Sequence, residues 1–209
     1  MTAYHAPVYW EEGKRALAAR DKTLKAIIKS YHGETLTLRG TPFVTLCRSI
    51  TGQQISVKAA DSVWNRLAQG LSDITPEIIA DTPAPVLRSF GLSERKAIYL
   101  HAIASHFIEN GKLIKKWPKI PDDEVIAELI SIKGIGRWTA EMFLIFGLGR
   151  PDVFPVDDLG LLKALNRHYG SGKPLSHKKI IAIGESWRPY RSIGTWYMWR
   201  ALDPVAVAY

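Results

Sequence analysis

Residues 129–158 read LISIKGIGRWTAEMFLIFGLGRPDVFPVDD, and this stretch decides the fold. Upstream of Gly134 and Gly136, Val125, Ile126, Leu129 and Ile130 recur at helical spacing, and Asp122 or Asp123 is placed to cap that helix. Downstream, Trp138, Met142, Ile145 and Phe146 mark the apolar face of a second helix. The link Ile132-Lys133-Gly134-Ile135-Gly136 is too short for anything but a tight helix–hairpin–helix turn. Its glycines allow positive φ and close approach of another backbone. The amides of Gly134, Ile135 and Gly136 open the second helix, so they are expected to face an anion, with Arg137 beside them.

The charge suggests which anion. The 209 residues carry 28 Lys and Arg against 20 Asp and Glu, a formal net charge of +8. Such an excess favours a polyanionic partner, and a DNA phosphate suits the hairpin. Hydrophobic residues make up 46% of the chain, enough for a folded core, and the length suits one unit with two lobes. Seven tryptophans is a high count, and aromatics are what a pocket for a flat base would use, the alternative being that most of them are core. Cys47 is the single cysteine, so neither a disulfide within the chain nor a cysteine-held zinc or iron–sulfur centre is available. No apolar run reaches the ~20 residues of a membrane span, and no signal peptide is evident. A cytoplasmic protein without membrane association is expected.

Beyond the hairpin the chain returns through Gly147-Leu148-Gly149-Arg150-Pro151 to Val153-Phe154-Pro155 and two acids, Asp157 and Asp158. These open another periodic segment, Leu159, Leu161, Leu162 and Leu165. GIGRWTAEMF followed by VFPVDDLGLLKAL resembles the helix–hairpin–helix DNA glycosylases, and within them the 3-methyladenine DNA glycosylase II branch. The resemblance runs from about Phe43 onward. It implies an all-α, two-lobed fold, with lobe A at about 41–147 holding the hairpin 132–136, and lobe B formed by about 1–40 plus 148–209. With only about 40 residues ahead of the shared region, the β-rich N-terminal domain of longer relatives is not expected.

The same resemblance distributes roles. Asp158 matches the catalytic carboxylate, leaving Asp157 as the helix cap or a neighbour of phosphate. Trp138, Met142 and Trp199 fall on base-pocket positions. Two pocket aromatics of the family are replaced, by Met142 and Arg200; Arg200 would repel a cationic base, so it is expected to point away or to contact phosphate. RSITGQQISVKAA matches the loop that enters the minor groove, with Gln54 as the plug and Gln53 beside it. Gly134, Ile135, Gly136 and Arg137 would grip phosphate. Hairpin carbonyls around Ile130, Ile132 and Ile135 would hold a structural monovalent cation, and no other cofactor is implied. Where relatives that also cut the backbone place a Schiff-base lysine, this chain has Trp138. The expectation is a monomeric, monofunctional enzyme that removes alkylated purines such as 3-methyladenine and 7-methylguanine from double-stranded DNA. The alternative is a non-catalytic hairpin DNA-binding protein, which would not need the acid pair.

The remaining chain reads helical. Helices are expected at Trp10–Ala19 and Thr23–Tyr31, then a short extended segment at 34–38. Thr41 caps a helix begun by Pro42, with Phe43, Leu46, Cys47 and Ile50 inward. Another runs from Ser56 to about Leu67 with Ala59, Ala60, Val63 and Leu67 inward. Ser93 caps a long helix with Arg95 and Lys96 in its first turn. Ser176 to Trp187 forms another, and Pro189 starts the last.

Overall fold

The computed structural model describes residues 6–38 and 40–202. The described chain is helical throughout and divides into two compact units. One combines the described residues up to Leu38 with those from Gly149 to Leu202; the other holds the described residues between them, 40–148. Among the described residues there is no strand: 34–37 are irregular where an extended segment was expected, and Leu38 contributes one isolated bridge. No described helix is long and apolar enough to cross a membrane.

The chain enters the first unit through α1 (Trp10–Arg20) and α2 (Lys22–Ser30). It passes into the second through α3 (Pro42–Gly52), α4 (Val57–Gly70), α5 (Pro76–Asp81), α6 (Ala84–Ser89), α7 (Glu94–Glu109), α8 (Gly111–Ile114), α9 (Asp122–Ile130) and α10 (Arg137–Phe146). It then returns to the first through α11 (Leu159–Tyr169), α12 (His177–Ser186) and α13 (Arg191–Leu202). Short side-chain caps set many of the starts. Thr41, Ser56, Ser93 and Ser176 each accept a backbone N–H three residues on, satisfying a donor that the helix cannot. Two boundaries differ from expectation. The N-cap of α9 is Pro121, which has no side-chain acceptor, and Asp122 and Asp123 lie inside the first turn. The last helix starts at Arg191, two residues after Pro189.

In the second unit α7 packs against α3, α5 and α6, while α10 packs against α9 and α3. Phe43, Phe107, Trp117 and Phe143 form an edge-to-face chain with centroids 5.2, 5.6 and 5.4 Å apart. That spacing gains attraction beyond simple burial. The Trp117 indole donates to Glu128 at 2.7 Å, which ties the connector before α9 to α9 itself. Ala59 was expected inward but is exposed, because Val63, Trp64 and Leu67 set the buried stripe of α4.

In the first unit α13 is the centre, packed against α1, α2, α11 and α12. Every residue from Ser192 to Arg200 is buried, as befits a helix surrounded on all sides. Gly194 is required there, since a Cβ would collide with the Trp187 ring. Asp21 accepts from the Leu24 amide, the Tyr169 hydroxyl and the Trp187 indole at 2.9, 2.7 and 3.1 Å, linking α2, α11 and the end of α12.

Candidate functional site

The segment leading to the acid pair is fastened first. Ser192 donates its hydroxyl to Arg150 O at 2.6 Å and accepts the Val153 amide at 3.0 Å. Arg191 holds the Asp152 carboxylate through Nε at 2.8 Å and Nη2 at 3.0 Å, and Arg188 reaches it at 2.6 Å. From this anchor 154–158 runs into α11, and Asp158, not Asp157, is the N-cap. Asp158 Oδ1 accepts the Leu161 amide at 2.6 Å and the Trp199 indole N–H at 2.7 Å. The carboxylate is 7% exposed, whereas Asp157 is exposed. A side chain at position 160 would crowd this contact: a Cβ there would lie 3.2 Å from Asp158 Oδ1 and 3.3 Å from Trp199 Cδ1. Thus the packing of α11 on α13 fixes the direction of one carboxylate.

Leu159, next in sequence, is 81% exposed, a large apolar side chain standing in solvent beside the acid. It was read as part of the apolar face of α11; periodicity could not show that the helix turns it outward. Arg200, one residue after Trp199, is turned toward Glu34 and Tyr31. It is 6% exposed and forms a two-pronged ion pair with Glu34, Nε to Oε2 at 2.7 Å and Nη2 to Oε1 at 2.8 Å. Its guanidinium also lies 4.7 Å from the centre of the Tyr31 ring. Contact with phosphate, the other expectation, is incompatible with that burial.

The second unit carries the hairpin. Gly134 has φ +97, and a Cβ there would run into the Tyr99 ring, so what approaches the turn is a side chain of α7 and not another backbone. Gly136 has φ −94 and is the N-cap of α10; a Cβ there would meet nothing within 4 Å. Positive φ is therefore required at one glycine, and open space in front of α10 is kept by the other. The Ile135 amide donates to Ile132 O at 3.1 Å and is spent inside the turn, contrary to its expected exposure to an anion. Arg137 is exposed and lies 3.6 Å from Glu141.

Trp138 is half-buried in the first turn of α10. Met142 is 1% exposed and belongs to the core of its unit, so it offers no accessible wall. The two glutamines separate. Gln54 is exposed with φ +60. Gln53 is half-buried and its amide is used internally, on Gly134 O and Thr139 Oγ1, each at 3.3 Å. Lys96 donates to Thr51 O at 2.8 Å, and partial burial lowers its amine below the ordinary lysine range. Arg95 remains exposed. Among the described residues no group of three or more His, Cys, Asp or Glu is arranged to hold a metal ion.

A glycine-capped hairpin helix and, separately, a buried acid at a helix start are the family's two marks, and a family model matches residues 47–189 across both. The chain belongs to the HhH-GPD superfamily of base excision DNA repair proteins. Within this superfamily it is 32% identical over 191 residues to DNA-3-methyladenine glycosylase 1 of Schizosaccharomyces pombe, covering 88% of this chain and 84% of the relative. Among solved structures it resembles the S. pombe 3-methyladenine DNA glycosylase in complex with abasic DNA. The TM-score is 0.80 at 29% identity, over 95% of this chain and 100% of the other. A DNA-3-methyladenine glycosidase from Bacillus halodurans superposes with TM-score 0.79 at 33% identity, over 96% and 92%.

Proposed function

We propose that the chain is a monofunctional, monomeric DNA glycosylase that extrudes an alkylated purine, 3-methyladenine or 7-methylguanine, from double-stranded DNA and hydrolyses its bond to the sugar. The observation that carries this reading is the buried Asp158 carboxylate, held in one direction by the Leu161 amide and the Trp199 indole. Its standing in a chain similar to named 3-methyladenine glycosylases supports the same reading.

A base inside the duplex is inaccessible and must be rotated out, at a cost of a few kcal/mol that is smallest for a damaged base. The bond from C1′ to the base nitrogen then breaks, and its electron pair leaves with the base. The sugar becomes cation-like, and a fixed carboxylate stabilises that charge. Asp158 takes this role and receives the proton of the water that adds to C1′. The product is an abasic site. An N-alkylated purine already carries positive charge, so it departs without a strong general acid. Trp138 supplies an aromatic face on which such a cation gains ~0.5–2 kcal/mol.

Gly134, Gly136 and Arg137 grip the phosphate backbone at the start of α10, where backbone amides and the helix dipole favour an anion. The carbonyls of Ile130, Ile132 and Ile135 would hold the structural monovalent cation implied by the family. Neutral carbonyl oxygens are the donors such an ion takes, and Ile132 O also accepts the Ile135 amide. When bound, the ion supplies positive charge for a phosphate. The indole of Trp138 has no amine with which to form a Schiff base, which supports hydrolysis without strand cleavage.

The test is a duplex with one 7-methylguanine. The expected product is an unbroken strand that is cut only after alkali, with no covalent complex on borohydride reduction. Direct cutting or a trapped complex would overturn the monofunctional assignment.

A further inference from the structure

The end of α3 and the turn that follows it are each tied down at one point. Lys96 of α7 donates to Thr51 O, and Gln53 of the turn donates to Gly134 O in the hairpin and Thr139 Oγ1 in α10. Directly after these tethers Gln54 adopts φ +60, a left-handed conformation that side-chain-bearing residues rarely take without surrounding support. An open cavity of about 730 Å³ lies here, lined among others by Gln54, Arg95, Tyr99 and Lys133. Gln54 therefore stands exposed on a loop whose geometry is set by its neighbours, and Gln53 tethers that loop to the hairpin.

We infer that Gln53 is a positioning residue: its side chain is a strut that holds Gln54 in the left-handed, outward conformation and couples that conformation to the hairpin, and it does not itself enter DNA. The inference rests on the reading of Gln54 as the plug that fills the gap left by an extruded base. The strut's two acceptors lie on the turn and on the first helical residues after it, so seating the hairpin on a phosphate and presenting Gln54 become one event. Without the strut's N–H donors, Gln54 is free to relax to negative φ, and its amide swings out of line. A residue acting this way affects only the step in which a paired base must be displaced.

Single-turnover base release would be measured for wild type, Gln53→Met, Gln54→Ala and the double variant that carries both substitutions. The substrates are duplexes with one 7-methylguanine, paired with cytosine in one and opposite an abasic analogue in the other. Gln53→Met should slow release about tenfold at the paired lesion and less than twofold at the unpaired one, the double variant being no slower than Gln54→Ala alone. Equal losses on both duplexes, or none, would overturn the inference. Independently of catalysis, 2-aminopurine placed beside an abasic analogue reports insertion of the plug. Wild type should raise its fluorescence, and Gln53→Met should bind with similar affinity but raise it far less. An unchanged fluorescence response would overturn the strut even if no base were released, whereas absent release with this response intact would count against the glycosylase reading. Should Gln53→Met fail to fold, Thr139→Val removes one acceptor and should show the same selective loss, with Thr139→Ser restoring wild-type behaviour.

Discussion

One oxygen of Asp158 takes two donors, and the two are not equivalent. The Leu161 amide is part of the helix backbone and only proline would remove it, whereas the Trp199 indole N–H can be deleted by a side-chain change. Trp199→Phe keeps an aromatic side chain, one ring smaller, and deletes the N–H. A hydrogen bond to a charged group contributes about 1.5–3 kcal/mol, so a carboxylate that must point one way in the transition state should lose about tenfold to a hundredfold in single-turnover release. Affinity for abasic DNA should be unaffected; an unchanged rate would show that Trp199 serves only as an apolar wall. At this scale the sequence displayed which residue types were present but not their partners. Two adjacent acids before a helix are ambiguous by one position, and the cap fell on Asp158, not Asp157. Trp199 was expected to show a face to a base, and its edge bonds an acid 41 residues away. Arg200 was expected away from a cation, and the reason became visible only in its pair with Glu34, 166 residues away.

The hairpin joins two helices whose periodicity was plain in the sequence, and its two glycines carry opposite constraints. At Gly134 a side chain would demand left-handed backbone and displace the rigid root of the Tyr99 ring. Gly134→Ala should therefore destabilise the protein by about 1–3 kcal/mol in chemical denaturation. Gly136 has ordinary φ and open space, so Gly136→Ala should shift stability by less than about 1 kcal/mol, close to the modest difference between glycine and alanine at a helix N-cap. Equal losses would mean that the turn is held by something other than this geometry. Most elements were legible because the local code is strong here: serine or threonine caps, apolar residues at helical spacing, and proline at helix starts. Where the local code was silent it misled. The acids before α9 sit inside the helix because it starts one residue earlier, behind Pro121, and the glutamine beside the plug faces inward because its partner, Gly134, is remote in sequence.

For the whole molecule, the positive charge pointed to a polyanionic partner, and the order of hairpin and acid pair carried the resemblance to a DNA repair enzyme. Tryptophan content did not, since six of the seven are buried and only Trp138 is half-exposed. What the linear sequence withheld was the long-range wiring inside each unit: α13 as the helix that α1, α2, α11 and α12 pack around, and a glutamine that spans 81 residues to the hairpin. The central claim is that Asp158 performs the chemistry. Asparagine is as good an N-cap as aspartate and retains an oxygen for the Leu161 and Trp199 donors, so Asp158→Asn removes charge while preserving structure. The decisive measurement is chromatography of bases released from randomly methylated duplex DNA by wild type and Asp158→Asn. Wild type should release methylated purines and the variant about 10²–10³-fold less, with DNA binding and thermal stability intact. Equal release by both proteins, or none by wild type while it binds the same DNA, would contradict the account.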